Sequence, residues 1–237
     1  MIATPGEQAA REERQRRVEA TTRVVLRPLA SPAALGFLGL AAATFVVAGL
    51  QLGWLEPPES KKVALVLIAF TVPVQFLASV LGFLARDGVI ATGMGLLSGI
   101  WLTVGLITWT SRPGAESDAL GMFLLLAAVA MWVPASSGAV AKLVPAAVLA
   151  TAGLRFLVTG IFQLTSNEAW EDAAGVIGLL LTVLALYAAI AAELEDTQKR
   201  TILPLGRRGQ GKRAIEAPTL VEQAAELHHE PGVRAQL

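Results

Sequence analysis

The sequence has no cysteine, two histidines and one tyrosine. Without cysteine there are no disulfides, no thiolate nucleophile and no cysteine metal site. The histidines, His228 and His229, adjoin each other in a polar tail, and two such residues without further ligands do not make a specific metal site. No cofactor or metal is therefore expected. Charge is also scarce, at 16% of residues against about a quarter in soluble domains. The shortage is local, because long stretches carry almost no charge while 54% of the chain is hydrophobic. That pattern belongs to a membrane protein. Net charge is zero, so nothing points to nucleic acid as a partner. The sequence lacks HExxH, GxSxG, a phosphate-binding Gly-rich loop and any carboxylate pair deep in an apolar run. Glu193 lies only at the end of the last run. An enzyme or an ATP-driven pump is disfavoured.

What is present is a set of six apolar runs, at about 33–55, 63–85, 89–110, 119–135, 139–164 and 173–194. Each is long enough, or nearly so, for a hydrocarbon core of roughly 30 Å. The fourth is shortest, ending at Pro134 or extending through Ser136 and Ser137. The links, such as "RDG" and "SSG", are too short for a soluble domain and favour antiparallel neighbours. The expectation is an all-α, polytopic membrane protein, a six-transmembrane-helix bundle spanning 31–206. Residues 1–30 would form a cytoplasmic helical arm and 207–237 a largely disordered cytoplasmic tail.

Orientation follows from lysine and arginine. Fifteen fall on the side of the two termini, counting Arg86 and Lys142. Three, Lys61, Lys62 and Arg112, fall on the other. Both termini are expected to be cytoplasmic, in a plasma membrane. No secretory signal is expected, since the first apolar run starts only after about thirty polar residues. In the arm, Glu7–Arg11, Glu12–Arg16, Glu13–Arg17 and Glu19–Arg23 are i,i+4 pairs in the favourable order. They suit a solvated helix, or one docked on anionic lipid or a neighbouring subunit. In the tail, Pro218-Thr219 followed by Glu222 resembles the start of a short capped helix.

Three polar or small-residue features lie within the runs. Gln75 sits near the middle of the second, just after Pro73. A buried amide in lipid must find a partner, and Pro73 frees a carbonyl one turn back, near Ala69. Arg155 lies in the fifth run, where it either snorkels to the outer surface or faces a water-filled path and attracts anions. Ala91, Gly95, Gly99 and Thr103 recur every four residues, as do Gly49 and Gly53. Such stripes let helix backbones approach closely or leave room along a pore.

The closing segment "AAGVIGLLLTVLALYAAIAAELEDTQKRTILPLG" resembles the last span of the acetate uptake transporters, also called succinate–acetate permeases or YaaH-like proteins. It ends on their arginine-threonine-apolar-leucine-proline-apolar-glycine signature, here Arg200 to Gly206. The stretch Ser31, Pro32, Ala33, Ala34, Leu35, Gly36 is similar to their asparagine-proline-alanine-proline-leucine-glycine motif, and would form a substrate entrance. Gln75 and Trp101 keep the family's spacing. The resemblance covers roughly residues 31–206. It implies a six-span subunit, a hexameric homo-oligomer in the family's manner, and passage of acetate or related small carboxylate anions, by proton symport or as a channel. The family's hydrophobic constriction falls on Leu40, Leu97 and either Thr151 or Ala152, and Arg155 shares a helix face with Thr151. This sequence departs from the pattern: serine and alanine replace asparagine and the second proline at 31 and 34, and leucines replace both constriction aromatics. The implied function is transport of small monocarboxylates. The alternative is a non-transporting sensor or scaffold that keeps the fold.

Overall fold

The computed structural model describes Glu13, residues 30–198 and residues 200–208. The arm pairs, the tail helix and His228-His229 otherwise lie outside the described residues. Six helices are long and apolar enough to cross a membrane: α1 (Ala33–Gln51), α2 (Pro57–Leu84), α3 (Gly88–Thr110), α4 (Asp118–Ala139), α5 (Leu143–Thr165) and α6 (Glu168–Gln198). The chain is a multi-pass, all-α membrane protein. Each helix packs on the next, and α6 packs on α1, so the six close into a ring. The start of α1 and the end of α6 share one face, called here the terminal face; the opposite face carries the turns 52–56, 111–117 and 166–167.

Polar caps set the helix starts. Asp87 Oδ1 accepts from the Ile90 N–H (3.2 Å) at α3, and Ser117 Oγ from the Leu120 N–H (3.3 Å) at α4. Asn167 Oδ1 accepts from the Ala169 N–H (2.9 Å) at α6. These bonds satisfy donors that a helix end leaves unpaired. The start of α1 has no such side-chain cap. Pro32 occupies the N-cap position, and Ser31 Oγ only approaches the Ala33 N–H at 3.5 Å.

The fourth span takes the longer of its two readings. It runs through Pro134 to Ala139, since a transmembrane helix tolerates proline where neighbours compensate. In α2 the backbone widens to a π turn at Leu67–Thr71 just before Pro73. A π turn is a usual site for a helix irregularity, and it changes where the Gln75 amide goes. Gln75 Nε2 donates towards the Gly36 carbonyl of α1, at 3.5 Å, rather than to the region of Ala69.

Small residues set the helix contacts. A Cβ on Gly160 of α5 would lie 3.0 Å from the Gly121 carbonyl of α4, and one on Gly153 would lie 3.0 Å from the Ala128 carbonyl. Gly82 of α2 meets Ala91 of α3 as closely, and Gly95 faces Ser79. The α3 stripe is thus half an α2 contact; Gly99 opens outward with nothing near it. Gly53 is not part of a stripe: it lies past the end of α1 with φ 68°, where a turn needs the left-handed conformation. The outer surface is apolar, with Phe76, Phe83, Met122 and Leu126 among its exposed side chains, as lipid contact requires. Gly160→Leu should lower the thermal stability of the purified protein by about 1–3 kcal/mol or more through overpacking. Gly99→Ala should leave it unchanged or raise it. Melting followed by circular dichroism in detergent checks both.

Candidate functional site

A cavity of about 510 Å³ opens at the face opposite the termini. It descends between the end of α1, the start of α2, the ends of α3 and α5 and the starts of α4 and α6. Its rim carries Glu116, Glu168, Glu171 and Asp172 and no lysine or arginine. Deeper, it is lined by Gln51, Trp101, Leu124, Phe156 and Thr159. Trp101 and Phe156 meet edge to face, with ring centroids 5.5 Å apart.

Arg155 lies against this floor. It is 2% exposed, so it does not snorkel to the surface. From Leu143 it is twelve residues along α5, about 18 Å at the helical rise, near mid-span. Its Cζ sits 5.5 Å from the centre of the Trp101 ring, a cation–π distance. Its Nη2 donates to Gln51 Oε1 at 3.0 Å. Gln51 Nε2 in turn points to Thr159 Oγ1 at 3.5 Å. Nε and Nη1 of Arg155 and Nε1 of Trp101 have no protein partner. Gly178 of α6 makes room for the guanidinium: a Cβ there would stand 2.9 Å from Nε. Among the described residues, none of the ion pairs involves Arg155. A buried arginine of this kind costs about 2.5–3.5 kcal/mol on insertion scales.

Towards the terminal face the interior is closed by apolar side chains. Leu40, Leu97 and Ala152 are fully buried in one core, whereas Thr151 is only half-buried. Because α5 starts at Leu143 rather than at 139, the three lie at nearly equal depth, about 10–14 Å from their helix starts. Leu149, one turn before Ala152, packs on Gly93 of α3 and is also fully buried. Below them is the segment that begins α1. Pro32 and Gly36 are buried, Leu35 is half-buried and Ser31 is exposed. A Cβ on Gly36 would lie 2.6 Å from Met94 Sδ, so the motif's glycine is needed for this contact. Gln75 has its Oε1 buried without a partner while its amide nitrogen faces Gly36. Thr44 and Thr182 join α1 to α6 by a 2.8 Å hydrogen bond.

The closing segment has a role that the sequence did not reveal. After α6 the chain turns back and pairs with the start of α5. The Leu143 and Val144 N–H groups donate to the carbonyls of Gly206 and Leu205, both at 3.1 Å, and the Arg208 N–H donates to Ala141 (2.9 Å). Tyr187 Oη donates to the Pro204 carbonyl at 3.0 Å, and Arg207 pairs with Glu195. The signature is thus an external cap on the helix that carries Arg155. Gly206 has φ 65° and sits so close to Leu143 that a Cβ would be 2.7 Å from its Cβ. Gln51, Phe156 and the acidic rim were likewise missed. An isolated amide near the end of an apolar run was the signal for Gln51.

Among the described residues, six helices long enough to cross a membrane close into a ring, and a cavity runs from one face down to Gln51, Trp101 and Phe156; such an architecture suits a channel or carrier. Residues 16–205 match the GPR1/FUN34/yaaH family, and the chain belongs to it. This is a family of acetate uptake transporters and channels, not of enzymes. No curated protein matches closely. Among solved structures, the chain is similar to the bacterial acetate channel SatP, with 25% sequence identity and a TM-score of 0.67 over 75% of this chain and 99% of that one. Gly206→Val should detach the closing segment from α5. Hydrogen exchange at the Leu143 and Val144 amides should then accelerate at least tenfold, whereas Tyr187→Phe, which loses one hydrogen bond worth about 0.5–1.5 kcal/mol, should accelerate it less.

Proposed function

We propose that the protein passes acetate or related small monocarboxylates across the cytoplasmic membrane, with both termini in the cytoplasm. The observation that carries this reading is the cavity lined by Gln51, Trp101 and Phe156, with Arg155 buried behind it on the Trp101 ring and bonded to Gln51, one turn along α5 from the buried Ala152 that shares a core with Leu40 and Leu97. Arg155 supplies the positive charge that draws an anion to mid-membrane, and the leucine layer excludes large or strongly hydrated solutes. The small leucine and alanine side chains offer no hydroxyl, which favours monocarboxylates over dicarboxylates. The family membership and the likeness to an acetate channel support the substrate class. The exposed apolar outer surface suits lipid and further copies of the chain, in line with a homo-oligomer such as a hexamer.

The acidic rim sets a condition on this passage. Four carboxylates at one mouth repel an arriving anion, and they favour arrival as the neutral acid or together with a proton. That gives proton-linked movement a physical basis without a titratable acid at the constriction.

Uptake of labelled acetate into liposomes holding the full chain tests the reading. Wild type should exceed empty liposomes, and Arg155→Ala should reduce uptake tenfold or more at normal expression. No uptake of acetate, propionate, lactate or succinate by wild type leaves the sensor or scaffold reading in its place. Glu171→Gln with Asp172→Asn should raise acetate uptake from that face two- to fivefold at low ionic strength. The gain should vanish in high salt, which screens exposed charges.

A further inference from the structure

Gln51 stands where a carboxylate would. Its amide oxygen accepts from Arg155 Nη2 at 3.0 Å, and it does so from a side chain that itself lines the cavity. The neighbouring Nη1 is buried and has no partner. Nη1 and Nη2 together form the end-on fork of a guanidinium, whose spacing matches the two oxygens of a carboxylate. Half of that fork is thus occupied by a neutral oxygen, and half is buried without a partner behind the cavity-lining Gln51 and Trp101. The Arg155 head group is held from the sides by the Trp101 ring and by the Gly178 backbone, so its position does not depend on Gln51 alone. Gln51 also has a second partner within reach, Thr159 Oγ1, at 3.5 Å from Nε2.

We propose that Gln51 is a built-in competitor for the Arg155 anion site. An arriving carboxylate displaces the amide oxygen from Nη2 and takes both ends of the fork, and Gln51 shifts towards Thr159. Return of the amide oxygen displaces the anion again. A guanidinium buried without a counter-charge would otherwise hold an anion too tightly for flux, since conduction needs binding that is weak enough to release. The amide provides that weakening: it is a neutral acceptor that takes one N–H of the fork, where a carboxylate takes two. The proposal rests on the carboxylate reading above and assigns the positioning role to Gln51.

The test is acetate titration of the purified full chain in detergent at constant ionic strength, followed by tryptophan emission, with a Trp101→Phe protein isolating the Trp101 signal. Arg155 lies on the Trp101 ring, so filling the fork changes that emission. In Gln51→Glu the new carboxylate stays on Arg155 as a permanent counter-ion. Acetate affinity should fall tenfold or more, with the melting temperature unchanged or raised, and liposome uptake should fall with it. In Gln51→Ala the competitor is gone, and affinity should rise three- to tenfold. Wild-type affinity in Gln51→Glu overturns the proposal, as does weaker binding in a folded Gln51→Ala, which would make the amide a ligand. If Gln51→Ala does not fold, Gln51→Glu alone decides. Wild type that neither binds acetate nor passes it defeats the carboxylate reading itself. Wild type that passes acetate without any Arg155-dependent emission change defeats only the competitor site.

Discussion

Two apolar helices in lipid gain little by touching, because the lipid tails are as apolar as leucine. What holds them is close backbone approach and the few polar bonds between them. This constraint shapes the whole ring. Gly121 and Gly160 bring α4 onto α5, Gly82 and Ala91 bring α2 onto α3, and Gly175 and Gly178 bring α6 onto α1. Hydrogen bonds then fix the register, as between Thr44 and Thr182 or between Ser79 Oγ and the Ala91 carbonyl at 2.7 Å. The same glycines create the room for function. Gly178 leaves α6 thin where the Arg155 head group must sit, so one residue serves both packing and the site.

The buried arginine is tolerable only because its surroundings share the cost. The Trp101 face, the Gln51 oxygen and the cavity beside them replace part of its hydration. An acid at its side would stabilise it further and would also neutralise it. The anion path proposed above would need the charge unspent, and a partner that is polar but neutral keeps it so. The placement of α5 matters equally. The helix starts under a cap made by residues 205–208 and by Lys142, whose Nζ lies 2.7 Å from Asp87 Oδ2. The depth of Arg155 and Ala152 is therefore set from the terminal face, by a segment distant in sequence.

The sequence shows the fold through its hydrophobic runs, since spans of this length have few alternatives in a bilayer. All six are found, and the errors lie at ends. The fourth run, read as ending at Pro134 or extending through Ser136 and Ser137, continues to Ala139, and α5 was begun four residues early because Ala139, Val140 and Ala141 are as apolar as the helix that follows. The core positions Leu40 and Leu97 were readable by resemblance, and Arg155 by its cost. Their surroundings were not. Whether Arg155 faces lipid headgroups or the interior depends on helix rotation, and α5 is apolar almost all round. Gln51 escaped notice because its partner is 104 residues away. The cap by Leu205 and Gly206 joins backbone atoms, and no side-chain pattern reports such a bond.

Charge is distributed in opposite senses along the axis. Carboxylates line the mouth opposite the terminal face, and a guanidinium sits buried at mid-depth. On the path proposed above, an anion coming from the acidic mouth would climb a repulsive step before it met Arg155. One coming from the terminal side would first cross the packed leucine layer without hydration. The two barriers are therefore of different kinds. Ionic strength and pH act on the first, because it is made of exposed charges. Side-chain volume acts on the second, because it is made of packed apolar groups. Rates in the two directions need not respond alike to a given change, although the equilibrium they approach is fixed by the gradients alone.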